Sequence, residues 1–128
     1  MKGKFTLLAL IMASTFIGQA FAHHSFSATY NADKTVKIEG SVKEFLWRNP
    51  HSFIRVEAPD EKGVMQVWSL EWGGGAQLQG MHVTRESVKP GDHVIVTGQP
   101  GRDPSEHRIR LQTIMRTSDG WKWEGVVR

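Results

Sequence analysis

From Val36 onward apolar and polar residues alternate. Val36, Ile38, Val42, Phe45 and Trp47 are interleaved with Lys37, Glu39, Lys43 and Glu44. A period of two predicts a half-buried strand, here over 36–47, with a bend or bulge at Gly40. Arg48-Asn49-Pro50 reads as a turn. A second strand is expected over 51–58, carrying Phe53, Ile54 and Val56, then a polar hairpin loop over 59–63. The third strand, 64–72, places Val64, Gln66, Trp68, Leu70 and Trp72 on one face. The texture then changes. Gly73-Gly74-Gly75 breaks the strand, and 76–81 suits one or two helical turns. Thr84 is placed to cap a second short turn over 85–88. After a Lys89-Pro90-Gly91-Asp92 turn, a fourth strand is predicted over 93–98. A loop over 99–107, a fifth strand over 109–115, an Asp119-Gly120 hairpin turn and a sixth strand over 121–127 follow. Residues 23–34 form a polar lead-in with no clear periodicity.

Three strands, a helical connection and two or three further strands suit a mainly β fold. The expected architecture is a small OB-like barrel of five to six antiparallel strands, with the short helix after strand three. Closure also removes the open edges that short amphipathic strands would leave. A two-sheet sandwich is the alternative. No internal repeat is present.

Upstream of the strands the pattern is of another kind. Lys2 and Lys4 precede an apolar stretch from Phe5 to Ile17, which ends in Ala20-Phe21-Ala22. This is the grammar of a secretory signal peptide over 1–22, cleaved after Ala22. The stretch is short for a membrane span, which takes about 20 residues. A single domain over 23–128 is expected, periplasmic, with no stable membrane insertion. The charge picture changes with it. The full 128 residues carry 16 Lys+Arg, 13 Asp+Glu and no cysteine. Without Lys2 and Lys4 the balance is 14 to 13, so the basic character belongs largely to the leader. A near-neutral exported domain is not expected to bind nucleic acid. Without cysteine there is neither a disulfide framework nor a thiol nucleophile.

Cleavage after Ala22 would make His23 the first residue and His24 the second. An N-terminal histidine offers its α-amine and Nδ1 to one metal, and a further imidazole completes a three-nitrogen set. Tetragonal nitrogen ligation favours copper(II). The arrangement resembles the histidine brace of copper-dependent polysaccharide monooxygenases, with His51 as the second imidazole and His24 as an alternative ligand. Cleavage after Ala20 would abolish it. His82, His93 and His107 are far apart, with no zinc-hydrolase spacing, and read as surface residues.

Five tryptophans occur. Trp68, and one of Trp121 and Trp123, are expected in the core, where the indole supplies much buried area. Trp47 and Trp72 are the candidate platform for a metal-free ligand-binding or protein-binding surface. Met65, Met81 and Met115 suggest copper(I), but gap-filling is the simpler role. Glu39, Glu44, Glu57, Glu71 and Glu124 occupy strand positions expected to face solvent. No nucleophile elbow and no phosphate-loop pattern is present.

Several segments together resemble a family of small exported proteobacterial proteins of unassigned function. They are Ala22 to Phe26, Glu39 to Phe45, Trp47 to His51, Lys89 to Val94, and Asp119-Gly120. The resemblance implies a periplasmic protein of this size and supplies no activity. The expectation is a binding protein rather than an enzyme, acting in metal handling or as accessory to an exported redox system. Its partner would be a metal ion, a small ligand or another periplasmic protein. A copper oxygenase, with Tyr30 near the metal, is the remaining alternative.

Overall fold

The computed structural model describes residues 26–128. The candidate ligands His23 and His24, and the expected leader, lie outside the described residues. Six strands form one sheet: β1 Val36–Leu46, β2 Phe53–Pro59, β3 Met65–Glu71, β4 His93–Pro100, β5 Arg108–Arg116 and β6 Lys122–Glu124. Their order is β3-β2-β1-β4-β5-β6, and an additional β3–β5 pairing closes the first five into a barrel. A short helix, α1 Gly75–Gly80, follows β3.

The alternation seen in the sequence is the alternation between barrel interior and exterior. Ile38 and Val42, Ile54 and Val56, Leu70, Val94 and Val96 are all at most 6% exposed. Burial of each such side chain stabilises by about 1.5–3 kcal/mol. Leu78 of α1, with Val83 and Val88 after it, joins the same core. Trp72 and Trp123 meet edge to face at 5.3 Å. Neither buried indole N–H finds an acceptor among the described residues.

The OB-like barrel and the helix after strand three stand as expected, with differences in detail. The closing β3–β5 pair is parallel, joining Ser69 to Arg108 and Glu71 to Arg110. Period two cannot distinguish a parallel from an antiparallel neighbour. The irregularity in β1 lies between Val42 and Glu44, not at Gly40. Gly40 is instead where β1 passes from one neighbour to the next. Ser41 pairs with both Glu57 of β2 and His93 of β4. A Cβ on Gly40 would lie 2.0 Å from the Glu57 carbonyl oxygen. Strand six is short, ending at Glu124. Residues 85–88 form a short turn as expected, and the Thr84 hydroxyl accepts from the Glu86 N–H at 3.3 Å.

The lead-in is more ordered than its polarity suggests. Residues 26–29 make a helical turn, and the Tyr30 N–H donates to the Phe26 carbonyl at 2.7 Å. Tyr30 then bridges to Gly101. The Asn31 N–H donates to Pro100, and the Arg102 N–H to Thr29. The lead-in is thereby laid along the β4–β5 loop, against the outside of the barrel. Among the described residues no helix is long and apolar enough to cross a membrane.

Candidate functional site

Glu71 occupies the last position of β3, opposite Arg110 of β5. Inward-facing Leu70 and Trp72 flank it, so its side chain emerges on the outer face. That face would be solvated on a bare barrel. Here it is covered, and Glu71 is only 6% exposed. Phe26 and Tyr30 supply the cover from the lead-in, and Val127 is buried at the other end of the chain. Arg110 ties the two together. Its guanidinium stacks over the Phe26 ring at 3.8 Å and donates to the Val127 carbonyl.

A buried carboxylate is tolerated only when its oxygens are satisfied. Oε1 of Glu71 accepts from the Tyr30 hydroxyl at 2.8 Å and from Arg108 at 3.3 Å. Oε2 faces His51 Nδ1 at 3.1 Å. Tyr30 is also crossed by the Arg108 guanidinium, 5.6 Å above its ring. Burial, reinforced by the adjacent Glu71 charge, pushes the Tyr30 hydroxyl well above the ordinary tyrosine range. Burial also lowers Arg110, with the Glu71 charge opposing that effect.

His51 stands at the edge of this cluster. The Phe26 ring packs against its imidazole, centroid to centroid 5.1 Å. Nε2 lies 2.9 Å from the Arg128 carbonyl oxygen. A ring that donates through Nδ1 to a fixed carboxylate has its plane and tautomer set. Nε2 of that neutral ring then carries a lone pair open to a metal, whereas its contact with the Arg128 carbonyl is a hydrogen bond only in a ring that carries a proton on both nitrogens.

The other candidates lie apart from His51. Among the described residues no group of three His, Asp or Glu side chains is gathered to hold a metal. His93 contacts Glu39 at 3.0 Å on the surface, and His107 packs edge-on against Trp68. Trp72 is 0% exposed and lies against Phe45 and Trp123, so the expected Trp47–Trp72 platform does not exist. Position 72 continues the inward face of β3, which is why it is buried. Trp47 is half-buried, with Arg85 stacked over it at 5.4 Å.

Glu71 was expected in solvent, and this is the main correction at the site. Two signals pointed to its burial. Phe26 and Tyr30 have the i, i+4 spacing of one helical face. Arg108 and Arg110 fall on one strand face that calls for a carboxylate.

A family of unknown function, DUF6152, matches residues 10–110. The chain belongs to this family. The matched span includes Tyr30, His51, Glu71, Arg108 and Arg110 and stops short of Val127 and Arg128. No curated protein and no solved structure matches the chain.

Proposed function

We propose that this protein is an exported, small-barrel metal-handling protein that binds copper(II) through His51 Nε2. The α-amine and imidazole of a processed N-terminal His23 complete the site, and His24 is the alternative ligand. The observation that carries this reading is the His51–Glu71 pair. Metal-ligating histidines almost always give their other ring nitrogen to a carboxylate or carbonyl, which orients the ring and raises its basicity. Glu71 meets that requirement from a buried, fully hydrogen-bonded position. Chain reach is a second support. Phe26 packs on His51, and three extended residues span about 10 Å, a length of chain sufficient to join a ligand at position 23 to a site at His51. Copper takes the place of the Arg128 carbonyl at Nε2. The role is binding rather than catalysis, with delivery to or from another exported protein as the biological setting.

The test uses protein exported with its own leader, its N-terminus established by intact mass. Titration with copper(II) under EPR is expected to give a stoichiometric type-2 signal with nitrogen hyperfine structure. His51→Ala and His23→Ala should each change it, and an added N-terminal methionine should weaken binding. No stoichiometric signal, or an identical one in both variants, overturns the reading.

A further inference from the structure

Residues 125–128 follow β6 and belong to no strand, yet each has a backbone partner. The Gly125 N–H donates to the Gln112 carbonyl at 3.1 Å. The Val126 carbonyl accepts from Gln77 Nε2 at 2.9 Å, and the Val127 carbonyl accepts from Arg110. The Arg128 N–H donates to Gln77 Oε1 at 3.4 Å, and the Arg128 carbonyl oxygen lies 2.9 Å from His51 Nε2. The side-chain amide of Gln77, presented by α1, therefore clasps residues 126 and 128 as a neighbouring strand would, donating to one and accepting from the other.

The segment is unevenly held. Its anchor is Val127, 1% exposed. The Val127 carbonyl and the neighbouring Gly125 N–H are both tied to β5, through Arg110 and Gln112. Arg128, by contrast, is exposed. Beyond its link to Val127, its backbone is fixed by Gln77 and His51. The bond to Gln77 is long for a hydrogen bond. Residue 128 can therefore swing away while Val127 stays buried and the barrel stays intact.

The atom that residue 128 covers is the one a metal needs. Glu71 Oε2 faces His51 Nδ1 at 3.1 Å, which fixes the ring and leaves Nε2 as its outer nitrogen. A metal on an imidazole nitrogen sits about 2 Å away along the lone-pair direction. The Arg128 oxygen occupies that direction at hydrogen-bonding distance, so there is no room for both. Nε2 gives either a proton to the carbonyl or its lone pair to a metal.

We propose that the backbone of residue 128 is a latch on His51, held closed by Gln77, which competes with the metal for Nε2 and is released when the metal binds. The latch rests on the copper reading of His51 given above and adds how that site is regulated. Metal binds only when the latch is open, so the apparent affinity is the intrinsic one scaled by the open fraction. By reciprocity, the metal opens the latch by the same factor that the latch weakens the metal. Release stops at Val127, whose side chain is buried and whose carbonyl Arg110 retains. Metal loading is thereby converted into a backbone change at one exposed position.

The test uses protein exported with its own leader, at one fixed pH. Copper(II) affinity is measured by EPR titration against a competing chelator in the parent, Gln77→Ala and Gln79→Ala. Gln77→Ala removes both clasp bonds and should tighten copper about three- to tenfold, the net worth of a hydrogen bond. Gln79→Ala, exposed on the same helix, is the control and should stay within about twofold of the parent. Without metal, diethyl pyrocarbonate should modify His51 several times faster in Gln77→Ala than in the parent, with His93 as reference. Hydrogen exchange read by mass spectrometry should show the parent's Arg128 amide exchanging faster once copper is bound. Equal copper affinity in the parent and Gln77→Ala overturns the latch and leaves the copper reading standing. An Arg128 amide that stays protected in the loaded protein does the same, since the carbonyl would then remain in place beside the metal. Absence of any His51-dependent copper signal overturns the copper reading, and the latch with it. If Gln77→Ala does not fold, Gln77→Met, of similar length and without the amide, takes its place.

Discussion

The Tyr30 hydroxyl donates to Glu71 Oε1 at 2.8 Å across 41 positions of sequence. The bond fastens the lead-in to the outer face of the barrel, and Glu71 is its anchor. Glu71→Ala leaves Arg108, His51 and the Tyr30 hydroxyl without their shared acceptor. The loss should be about 3–5 kcal/mol, the range for breaking a buried pair from one side. Glu71→Gln keeps the shape and one acceptor, and should cost about 1–3 kcal/mol. Urea unfolding at neutral pH measures both. A double-mutant cycle with Tyr30→Phe should return a coupling of about 0.5–3 kcal/mol. Additive losses would mean that the two residues do not act as a unit.

Tyr30 is the only tyrosine of the chain, so its ionisation can be read directly from near-ultraviolet absorbance. Its folded pKa is raised, first by burial and then by the Glu71 charge. The unfolded value is about 10. The resulting stabilisation is fully present below about pH 10 and is lost as pH rises toward the folded value. Tyrosinate should therefore appear only together with loss of near-ultraviolet circular dichroism. A normal titration in a still-folded protein contradicts the buried placement. In Glu71→Gln the onset should move to lower pH.

The barrel is legible in the sequence because its signals are local. Ile54, Val56, Leu70 and Trp72 declare an inward face by alternation alone, and Asp119-Gly120 declares its turn. Gly120 indeed has φ 75°. What stayed hidden depends on elements that meet only in three dimensions. Glu71 has the parity of a solvent-facing residue, and its burial follows from Phe26 and Tyr30 arriving from a segment more than 40 positions earlier. Trp72 shares the parity of Leu70, but its residue type points both ways, because tryptophan is common both in cores and at binding surfaces. His51 stands out in the sequence only by its place after a turn. Its pairing with Glu71 could not be read from either residue's neighbours.

Gly40 tests how tightly the barrel is wound. β1 changes partners here, and a Cβ would meet the Glu57 carbonyl oxygen at 2.0 Å and the Ala58 Cβ at 2.8 Å. Both obstacles belong to a buried strand rather than to the end of a flexible side chain. Gly40→Ala should cost about 2–3 kcal/mol or more through overpacking. Gly80→Ala is the control. Nothing lies within 4 Å of a Cβ there, and alanine favours the helix, so stability should hold or rise by about 0.5 kcal/mol. Thermal or urea unfolding of the two variants decides. Equal effects would place the close approach of β1 and β2 in doubt.

Phe26 is the lid on the polar cluster, and its removal separates packing from hydrogen bonding. The ring is 8% exposed, lies against His51 and Tyr30, and receives the Arg110 guanidinium. Phe26→Ala takes away that apolar cover but leaves every donor to Glu71 in place. The loss should be about 3 kcal/mol, the lower end of the range for phenylalanine truncation, because the site is at the surface and can collapse. The more telling readout is His51. Its imidazole is held by Glu71 and screened by Phe26, so diethyl pyrocarbonate should modify it slowly in the parent protein and several times faster in Phe26→Ala. His93, with a side chain 49% exposed, serves as the internal reference in the same peptide map. An unchanged His51-to-His93 ratio would show that the Glu71 pairing alone protects the ring, and that Phe26 contributes stability without controlling access.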